Sequence, residues 1–325
     1  MGQQQNGVSR RQALQFLAAL PLVMLGLRQA GDTQSALNAE EILPLYTTSV
    51  PACWRLYYGG EWLDVERVLP TYISHLTPLA HQASKYQKSV AGLLSQAHQL
   101  ASEITIQRED FGASLEHCKQ ALFYGQVAGD PNLQAGSLIR KGNALFYRNP
   151  NRSNLDTYLE AMRYIDDVSP LLRGRIYSEV GLKQGTEQDM LRYLGMAHES
   201  TPDTPEDDAY YLYSHSDHYI LYFNDALAYL KLGQANDAWK AINQAATYVP
   251  DVVNARRMEL LKYLVICSIA SSDLEEGEHH FKVMVESASV LSSDLWLGDI
   301  QDTHQQMLVK WPTEQRVKAL ADMFR

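Results

Sequence analysis

The sequence contains few cysteines, with three in 325 residues. Cys53, Cys118 and Cys267 are odd in number and far apart along the chain, which argues against a disulfide framework and against a zinc site. Free cysteine behaves as a small apolar residue and is usually buried. Each of the three is therefore predicted to be a packing residue.

The sequence also has no long basic run, and its formal net charge is −10. An electrostatic surface for nucleic acid is therefore not expected, nor is direct contact with DNA or RNA. There is no G-x-S-x-G motif, no P-loop and no glycine-rich dinucleotide turn, so neither an enzyme nor a cofactor is predicted. No run of residues alternates convincingly as a β-strand does.

Apolar residues make up 46% of the chain and charged residues 20%, which is typical of a folded protein. One stretch, residues 219–250, is typical of two helices joined by a turn at Gly233. In its second half Ala238, Ile242 and Ala245 share one helical face, and Ala226 is the small residue of the first half. Small residues allow two antiparallel helices to approach closely. This pattern is typical of a tetratricopeptide repeat.

The pattern recurs around five anchor residues: Ala121, Ala161, Ala197, Ala245 and Met284. Their spacings are 40, 36, 48 and 39 residues, longer than the usual period of about 34. The small residues of the first helices are Ser102, Gly142, Ser178 and Ala226, with Val265 in the weakest copy. The prediction is an all-α solenoid resembling tetratricopeptide repeats, a right-handed superhelix of about seven antiparallel helix pairs.

Two details of this prediction concern the ends of the solenoid. Pro44 and Pro51 are expected to interrupt the first helix. Residues 313–324 are expected to form a capping helix with Thr313 as its N-cap. The repeat domain is predicted to span residues 39–325, and residues 1–38 form a separate apolar helix and linker.

The N-terminal segment has two interpretations. Ser9-Arg10-Arg11-Gln12 resembles a twin-arginine export motif, and an apolar run at residues 13–27 has the length of a signal peptide. One observation argues against export. A signal peptide ends in a cleavage site with small residues such as Ala-x-Ala, and here the large cation Arg28 stands where a small residue is needed. The run is too short for a confident membrane span, and no membrane association is predicted.

Several short motifs occur in one order along nearly the whole chain: Arg-Arg-Gln-Ala-Leu-Gln at 10–15, Leu-Pro-Leu at 20–22, Ala-Cys-Trp at 52–54, Leu-Pro-Thr-Tyr at 69–72, Tyr-Gln-Lys at 86–88, Gly-Asp at 129–130 and Trp-Pro-Thr-Glu at 311–314. In this order the chain resembles the C-terminal tetratricopeptide-repeat region of helix-turn-helix transcriptional regulators of the Chloroflexi type. In that family a DNA-binding domain precedes the Arg-Arg-Gln segment. Only residues 1–8 precede it in this sequence.

The resemblance implies a regulatory or sensor module that is located in the cytoplasm, is linked to transcription and does not itself contact DNA. In that family the apolar segment is internal, so residues 13–27 need not be a signal. The alternative is an exported repeat scaffold, directed by the twin-arginine-like segment.

One candidate metal site involves His215 and His218, which are one helical turn apart. The other interpretation is a polar helix start capped by Ser214 or Ser216. No second ligand pair has a reliable spacing, and no metal is predicted.

In a superhelix of this kind, the first helix of each pair lines the concave groove. Counting from Gly142, Ser178 and Ala226 by helical periodicity predicts eight groove residues: Arg140, Asn143, Tyr147, Arg175, Glu179, Lys183, Phe223 and Asn224. Cations and amides beside aromatic rings suit a carboxylate with an apolar neighbour, such as the end of a peptide or protein partner. The alternatives are an ordinary solvated groove or a contact with a second copy of the chain in a homodimer.

Overall fold

A computed structural model describes residues 39–324 except 151, 215 and 251. The twin-arginine-like motif and the apolar run at 13–27 lie outside the described residues. Within them the chain is helical and forms no strand. The helices are α1 (Ala39–Tyr58), α2 (Trp62–Ala80), α3 (Gln87–Gln107), α4 (Phe111–Ala128), α5 (Pro131–Arg148), α6 (Leu155–Met162), α7 (Pro170–Leu182), α8 (Glu187–Ser200), α9 (Tyr211–Ser214), α10 (His218–Lys231), α11 (Ala235–Ala246), α12 (Ala255–Ser271), α13 (Leu274–Leu291), α14 (Asp294–Lys310) and α15 (Gln315–Ala319).

Neighbouring helices pack in pairs, as predicted. The pairs are α1 with α2, α3 with α4, α5 with α6, α7 with α8, α10 with α11, α12 with α13, and α14 with α15. Short turns of 3₁₀ helix follow at Pro205–Asp207 and Leu320–Met323. The small helix α9 was not predicted, and it lies in the insertion that gives the longest spacing between repeats. The all-α fold built from helix pairs is confirmed.

The predicted crossing residues lie at the contacts between paired helices. The anchors have no exposed surface, and this is true of Ala121, Ala161, Ala197, Ala245 and Met284. Gly142 shows how close the approach is, because a Cβ atom added there would lie 2.4 Å from the Tyr158 ring. Spacing of small residues at three and four positions therefore gave the correct register for these pairs.

The prediction that Pro44 and Pro51 interrupt the first helix was wrong, because α1 continues through both. A proline removes one backbone hydrogen bond and crowds the preceding turn, which costs a helix about 3 kcal/mol or more. Tyr46, Val50 and Trp54 recur every four residues along α1 and have no exposed surface. Burial of this apolar stripe against α2 and α3 offsets the loss at the prolines.

The C-terminal capping helix is shorter than predicted and begins later. Glu314 is the N-cap residue of α15, not Thr313. The backbone N–H of Glu314 donates to the carbonyl of Trp311 at 3.3 Å, so the chain is still in a turn at Thr313. Helix α15 then gives way to the 3₁₀ turn at Leu320–Met323.

The array closes on itself, because α14 packs against α3. Three hydrogen bonds join the two ends, and we call them the ring-closing seam. They run from Trp62 Nε1 to the Leu291 carbonyl (2.8 Å), from Asn254 Nδ2 to the Tyr58 carbonyl (2.7 Å) and from Ser293 Oγ to Gln107 Oε1 (2.9 Å). The first helices of the pairs therefore surround a central cavity, which lies where the concave groove was predicted.

Deletion of residues 313–325 is expected to cause aggregation, because these residues cover the last apolar face of the array. Val317 and Leu320 are buried there, and the Phe324 ring lies 5.8 Å from that of Phe281. The measurement is size-exclusion chromatography of the truncated protein. Lys318→Ala is the control, because this side chain is exposed on the same segment. A truncated protein that remains soluble and monomeric would show that another segment forms the cap.

Candidate ligand-binding cavity

A cavity of about 140 Å³ lies at the centre of the ring. Its walls are formed by side chains of α3, α5, α7, α10, α12 and α14, together with a few residues beside them. All eight residues predicted for the groove line this cavity: Arg140, Asn143, Tyr147, Arg175, Glu179, Lys183, Phe223 and Asn224. That they bind a partner stays a prediction.

Helical periodicity explains why these residues share one wall. Arg175, Glu179 and Lys183 follow each other at intervals of four along α7 and its C-cap, so they point to the same side. Glu259 and Tyr263 have the same relation on α12. Helices α7 and α12 thus present polar side chains to the cavity, whereas α10 contributes the apolar Ile220, Phe223 and Leu227.

Arg140 is buried and fully engaged within the protein. Its guanidinium donates to Glu103 at 2.9 Å, to the Tyr213 carbonyl at 3.0 Å and to the Tyr58 hydroxyl at 3.4 Å. The guanidinium also lies 5.3 Å from the centre of the Trp54 ring. Arg140 is therefore part of the scaffold of the cavity, and a contact between Arg140 and a ligand stays a prediction.

Arg175 is also engaged in an ion pair, with Glu179, but one of its N–H donors has no hydrogen-bond partner among the described residues. Its Nη2 lies 2.6 Å from Glu179 Oε1, and the two side chains are only 10% and 7% exposed. The Nε of Arg175 is buried and has no hydrogen-bond partner among the described residues. Two further ion pairs at the cavity, Arg256 with Asp217 and Lys262 with Asp299, are 2.6 Å long in each case.

Lys183 is the exception among the cavity cations. It forms no ion pair with any described residue, and its Nζ lies 4.9 Å from the centre of the Phe146 ring. Burial, the largest cause, and the neighbouring Lys231 lower the pKa of the Lys183 ammonium, while Glu179 acts in the opposite direction. An ammonium in this position gains from a negative partner.

Among the carboxylates that line the cavity, Glu259 is the one without an ion pair to a described residue. It receives one hydrogen bond, from the Tyr219 hydroxyl at 3.2 Å, and forms no ion pair with a described residue. Burial raises the pKa of Glu259 to about 7, although Arg175 and Arg256 oppose the shift. On the next inner helix, the Oδ2 of Asp299 is buried without a hydrogen-bond partner.

The remaining predicted residues have smaller roles in the geometry. Asn143 accepts a hydrogen bond from the Tyr158 hydroxyl at 3.2 Å, which leaves its amide nitrogen without a described partner. Asn224 is buried and donates to Ser178 Oγ at 2.9 Å. The Phe223 ring meets the edge of the Tyr263 ring, with centroids 5.0 Å apart. Among these three side chains, Asn143 is the amide whose nitrogen makes no hydrogen bond to a described residue.

The candidate metal pair is not seen in full, because His215 lies outside the described residues. His218 lies 3.2 Å from the Asp203 carbonyl through Nε2, and Asp217 is the residue that caps α10. Among the described residues no group of three histidine, cysteine or acidic side chains could hold a metal ion. The three cysteines are free and buried, as predicted.

Across residues 39–324, none of the helices in the described positions has the combination of length and apolar character needed to cross a bilayer.

No protein-family model and no curated protein sequence matches the chain. A solved structure with a similar arrangement is that of a signal-transduction ATPase with numerous domains, which carries a tetratricopeptide repeat sensor and comes from Pyrococcus horikoshii. The two chains are 16% identical with a TM-score of 0.44, and the match covers 98% of this chain and 53% of the other. This chain thus spans about half the length of that protein.

Proposed function

We propose that this protein is a non-catalytic regulatory or sensor module that binds the free carboxylate end of a peptide or protein partner in the central cavity. The observation that supports this proposal is Lys183, an ammonium without an ion pair inside a cavity whose other cations are all paired. An incoming carboxylate supplies the missing partner.

The surroundings of Lys183 suit the end of a chain. Phe146, Leu182 and Leu227 line the cavity there and can receive an apolar side chain. The amide of Asn143 is a further donor for the carboxylate. The cavity is similar in volume to an engineered 150 Å³ cavity that holds one benzene molecule. Only the terminal residue of a partner would therefore fit inside it.

A binding role is favoured over catalysis by the residues that line the cavity. The near-neutral pKa of Glu259 would suit a general acid or base. However, the described lining includes no histidine and no cysteine, and its serine, Ser214, bonds to a backbone carbonyl instead of a base. In this proposal the Glu259 carboxyl therefore contributes to ligand binding and not to catalysis.

The link to transcription rests on the resemblance to repeat regions of helix-turn-helix regulators. In this proposal the module acts in the cytoplasm, and a DNA-binding domain in the same protein or in another chain provides the output. A second copy of the chain could supply the partner surface in a homodimer. The alternative is an exported scaffold. Cell fractionation with N-terminal sequencing separates the two, because a product that starts near Gly31 would exclude the cytoplasmic assignment.

Replacement of Lys183 with glutamine is expected to weaken the binding of carboxylate-ended peptides by at least tenfold, because the unpaired cation is removed. The probe is a library of synthetic tripeptides that are acetylated at the N-terminus and free at the C-terminus, with affinity measured by titration calorimetry. The matched peptides with a C-terminal carboxamide should bind the wild type at least tenfold more weakly.

The control variant is Lys240→Gln, which removes an exposed lysine from the outer surface of α11. It should bind the peptides as the wild type does. Equal affinity for the carboxylate and the carboxamide peptides would contradict the proposal. A Lys183→Gln variant that binds normally would do the same.

A further inference from the structure

A second pocket, of about 210 Å³, lies where α1 ends and where α10 and α12 begin. We call it the tyrosine pocket. Four tyrosines and two apolar residues line it: Tyr57, Tyr58, Tyr211, Tyr248, Leu212 and Pro250. The pocket is adjacent to the central cavity, since Tyr57, Ala255 and Arg256 line both spaces, but Lys183 is not among its lining residues.

The two charged residues that line the tyrosine pocket neutralise each other. The Nη1 of Arg256 lies 2.6 Å from the Oδ2 of Asp217, and both side chains are mostly buried. The Arg256 guanidinium also lies 4.7 Å from the centre of the Tyr219 ring. The Asp217 carboxylate caps α10 by accepting a hydrogen bond from the Ile220 N–H. This pair is therefore structural, and the charge that a ligand meets is set by the rim of the pocket.

An acidic loop, residues 203–208, is fixed to the rim of the tyrosine pocket at both of its ends. At one end, the Asp203 carbonyl accepts a hydrogen bond from the Nε2 of His218 at 3.2 Å, and the His218 ring lies 5.3 Å from the Tyr248 ring. At the other end, the backbone N–H of Tyr211 donates to the Asp208 carbonyl at 3.0 Å. Because Tyr211 and Tyr248 both line the pocket, the loop borders it from one tyrosine to the other.

The acidic loop has no cation of its own among the described residues. It contains Asp203, Glu206, Asp207 and Asp208, and none of these carboxylates forms an ion pair with a described residue. The side chains of the first three are exposed. Neighbouring charges of one sign create a potential that attracts the opposite charge. The tyrosine pocket thus combines aromatic rings with a negative rim.

We propose that the tyrosine pocket binds an arginine side chain from a basic segment of a protein partner, and that flanking cations of the segment lie along the acidic loop. Tyrosine rings attract a cation at their faces, and a planar guanidinium also stacks on them. A guanidinium carries five N–H donors and no acceptor. The hydroxyls of Tyr211 and Tyr248 can accept from it, because neither makes a hydrogen bond with a described residue.

The size and shape of the pocket suit one long side chain. An engineered cavity of 150 Å³ holds one benzene molecule, so about 210 Å³ is enough for a single arginine side chain. The Tyr248 ring is 41% exposed and is held in place by the Tyr222 ring, which is stacked on it with centroids 5.9 Å apart. This inference goes beyond the proposed function, because the tyrosine pocket takes a side chain from within a segment, whereas the central cavity takes the end of a chain.

The test is calorimetric titration of the intact protein with the peptide Gly-Lys-Arg-Lys-Gly, acetylated at its N-terminus and amidated at its C-terminus. Replacement of the arginine with citrulline, its uncharged analogue, should weaken binding about tenfold or more, and replacement with lysine should weaken it less. An increase from about 0.05 M to about 0.5 M NaCl should also weaken binding, because the carboxylates of the acidic loop are exposed and are screened by salt.

The aromatic part of the site is tested with Tyr248→Leu, which should weaken binding of the arginine peptide about fivefold or more. Tyr248→Phe keeps the ring and should retain most of the affinity. Phe123→Leu is the matched control, because Phe123 is a similarly exposed ring on α4, 45% exposed, and it should bind as the wild type does.

The charged part of the site is tested with the double variant Glu206→Gln with Asp207→Asn. It should bind the arginine peptide more weakly than the wild type and should depend less on salt. The matched control is Glu275→Gln with Glu286→Gln, which removes two exposed carboxylates from α13 and should leave both properties unchanged.

The outcomes separate this inference from the proposed function. The blocked peptide has no free carboxylate, so Lys183→Gln should bind it normally, and a loss of binding in that variant would overturn the assignment to the tyrosine pocket. Equal affinity for the arginine and citrulline peptides would also overturn it. Tighter binding of a peptide with phenylalanine or proline at the central position would show that the pocket takes an apolar side chain. If no blocked peptide binds, the arginine site is disproved and the carboxylate-binding module stands.

Discussion

Replacement of Ala245 with tryptophan is expected to destabilise the protein strongly and to lower its melting temperature by about 5 °C or more. Ala245 has no exposed surface and lies where α11 crosses α10, beside Ala226 and Ile242, which are equally buried. Overpacking a well-filled core costs about 1–3 kcal/mol and occasionally more. An indole at a close helix crossing is at the upper end, because the two backbones must separate to admit it.

Gln244→Trp is the matched control for this change. Gln244 precedes Ala245 on the same helix and is exposed, so the same side chain is added without entering the crossing. Thermal unfolding followed by circular dichroism should show a large decrease for Ala245→Trp and a small change for Gln244→Trp. Equal melting temperatures in the two variants would be inconsistent with the repeat register.

Replacement of Arg140 with alanine is expected to lower the free energy of unfolding by about 3–5 kcal/mol. The change leaves the Glu103 carboxylate in a buried position without its cation, and the side chain of Glu103 is 14% exposed. It also removes the hydrogen bond from the guanidinium to the Tyr213 carbonyl, which holds α9 against the ring. Removal of one partner of a buried pair is costly because the other charge stays desolvated.

Urea unfolding of Arg140→Ala and of the double variant Arg140→Ala with Glu103→Gln measures this effect. The double variant should be more stable than the single one, because the uncompensated charge is gone. Arg67→Ala is the control, since Arg67 belongs to an exposed ion pair with Asp64, and such pairs contribute about 0–1 kcal/mol. Similar losses for Arg140→Ala and Arg67→Ala would contradict the structural role of Arg140.

The same reasoning applies to a double variant in which Arg140 and Arg175 are both replaced with alanine. Each of these arginines is engaged with a glutamate inside the ring. Loss of binding in that double variant would therefore report on stability as much as on recognition. Lys183, which has no such partner, is the informative position.

The helix pairs were predictable because their signal is local. Ala238, Ile242 and Ala245 mark a buried face within one helix, and the small residue at Ala226 marks the face that it meets. The same spacing placed Asn143, Tyr147 and Lys183 on the inner side of their helices, where the structure has them. Periodicity of 3.6 residues carries this information without knowledge of the whole fold.

The cavity-lining residues of α12 and α14 could not be predicted in the same way. Glu259 lies outside the positions counted from the small residues of the first helices, and α14 has no such residue to count from. The pairing of Arg140 with Glu103 joins positions 37 residues apart, so the sequence does not show which cations are neutralised. Closure of the ring depends on small rotations that accumulate over all the helix pairs, and no single repeat records them.

The ring-closing seam has a consequence for how the chain folds. An open array of repeats nucleates at any pair and grows through local contacts, so each step closes only a short loop. The bond from Trp62 to Leu291 instead spans 229 residues, and that from Ser293 to Gln107 spans 186. Such contacts give a net gain in stability only after the intervening helices have formed. If so long a loop closed earlier, the chain would lose conformational entropy without enough contacts to compensate. We therefore expect the two ends of the helix array to meet in the final folding step, so that the central cavity forms only then.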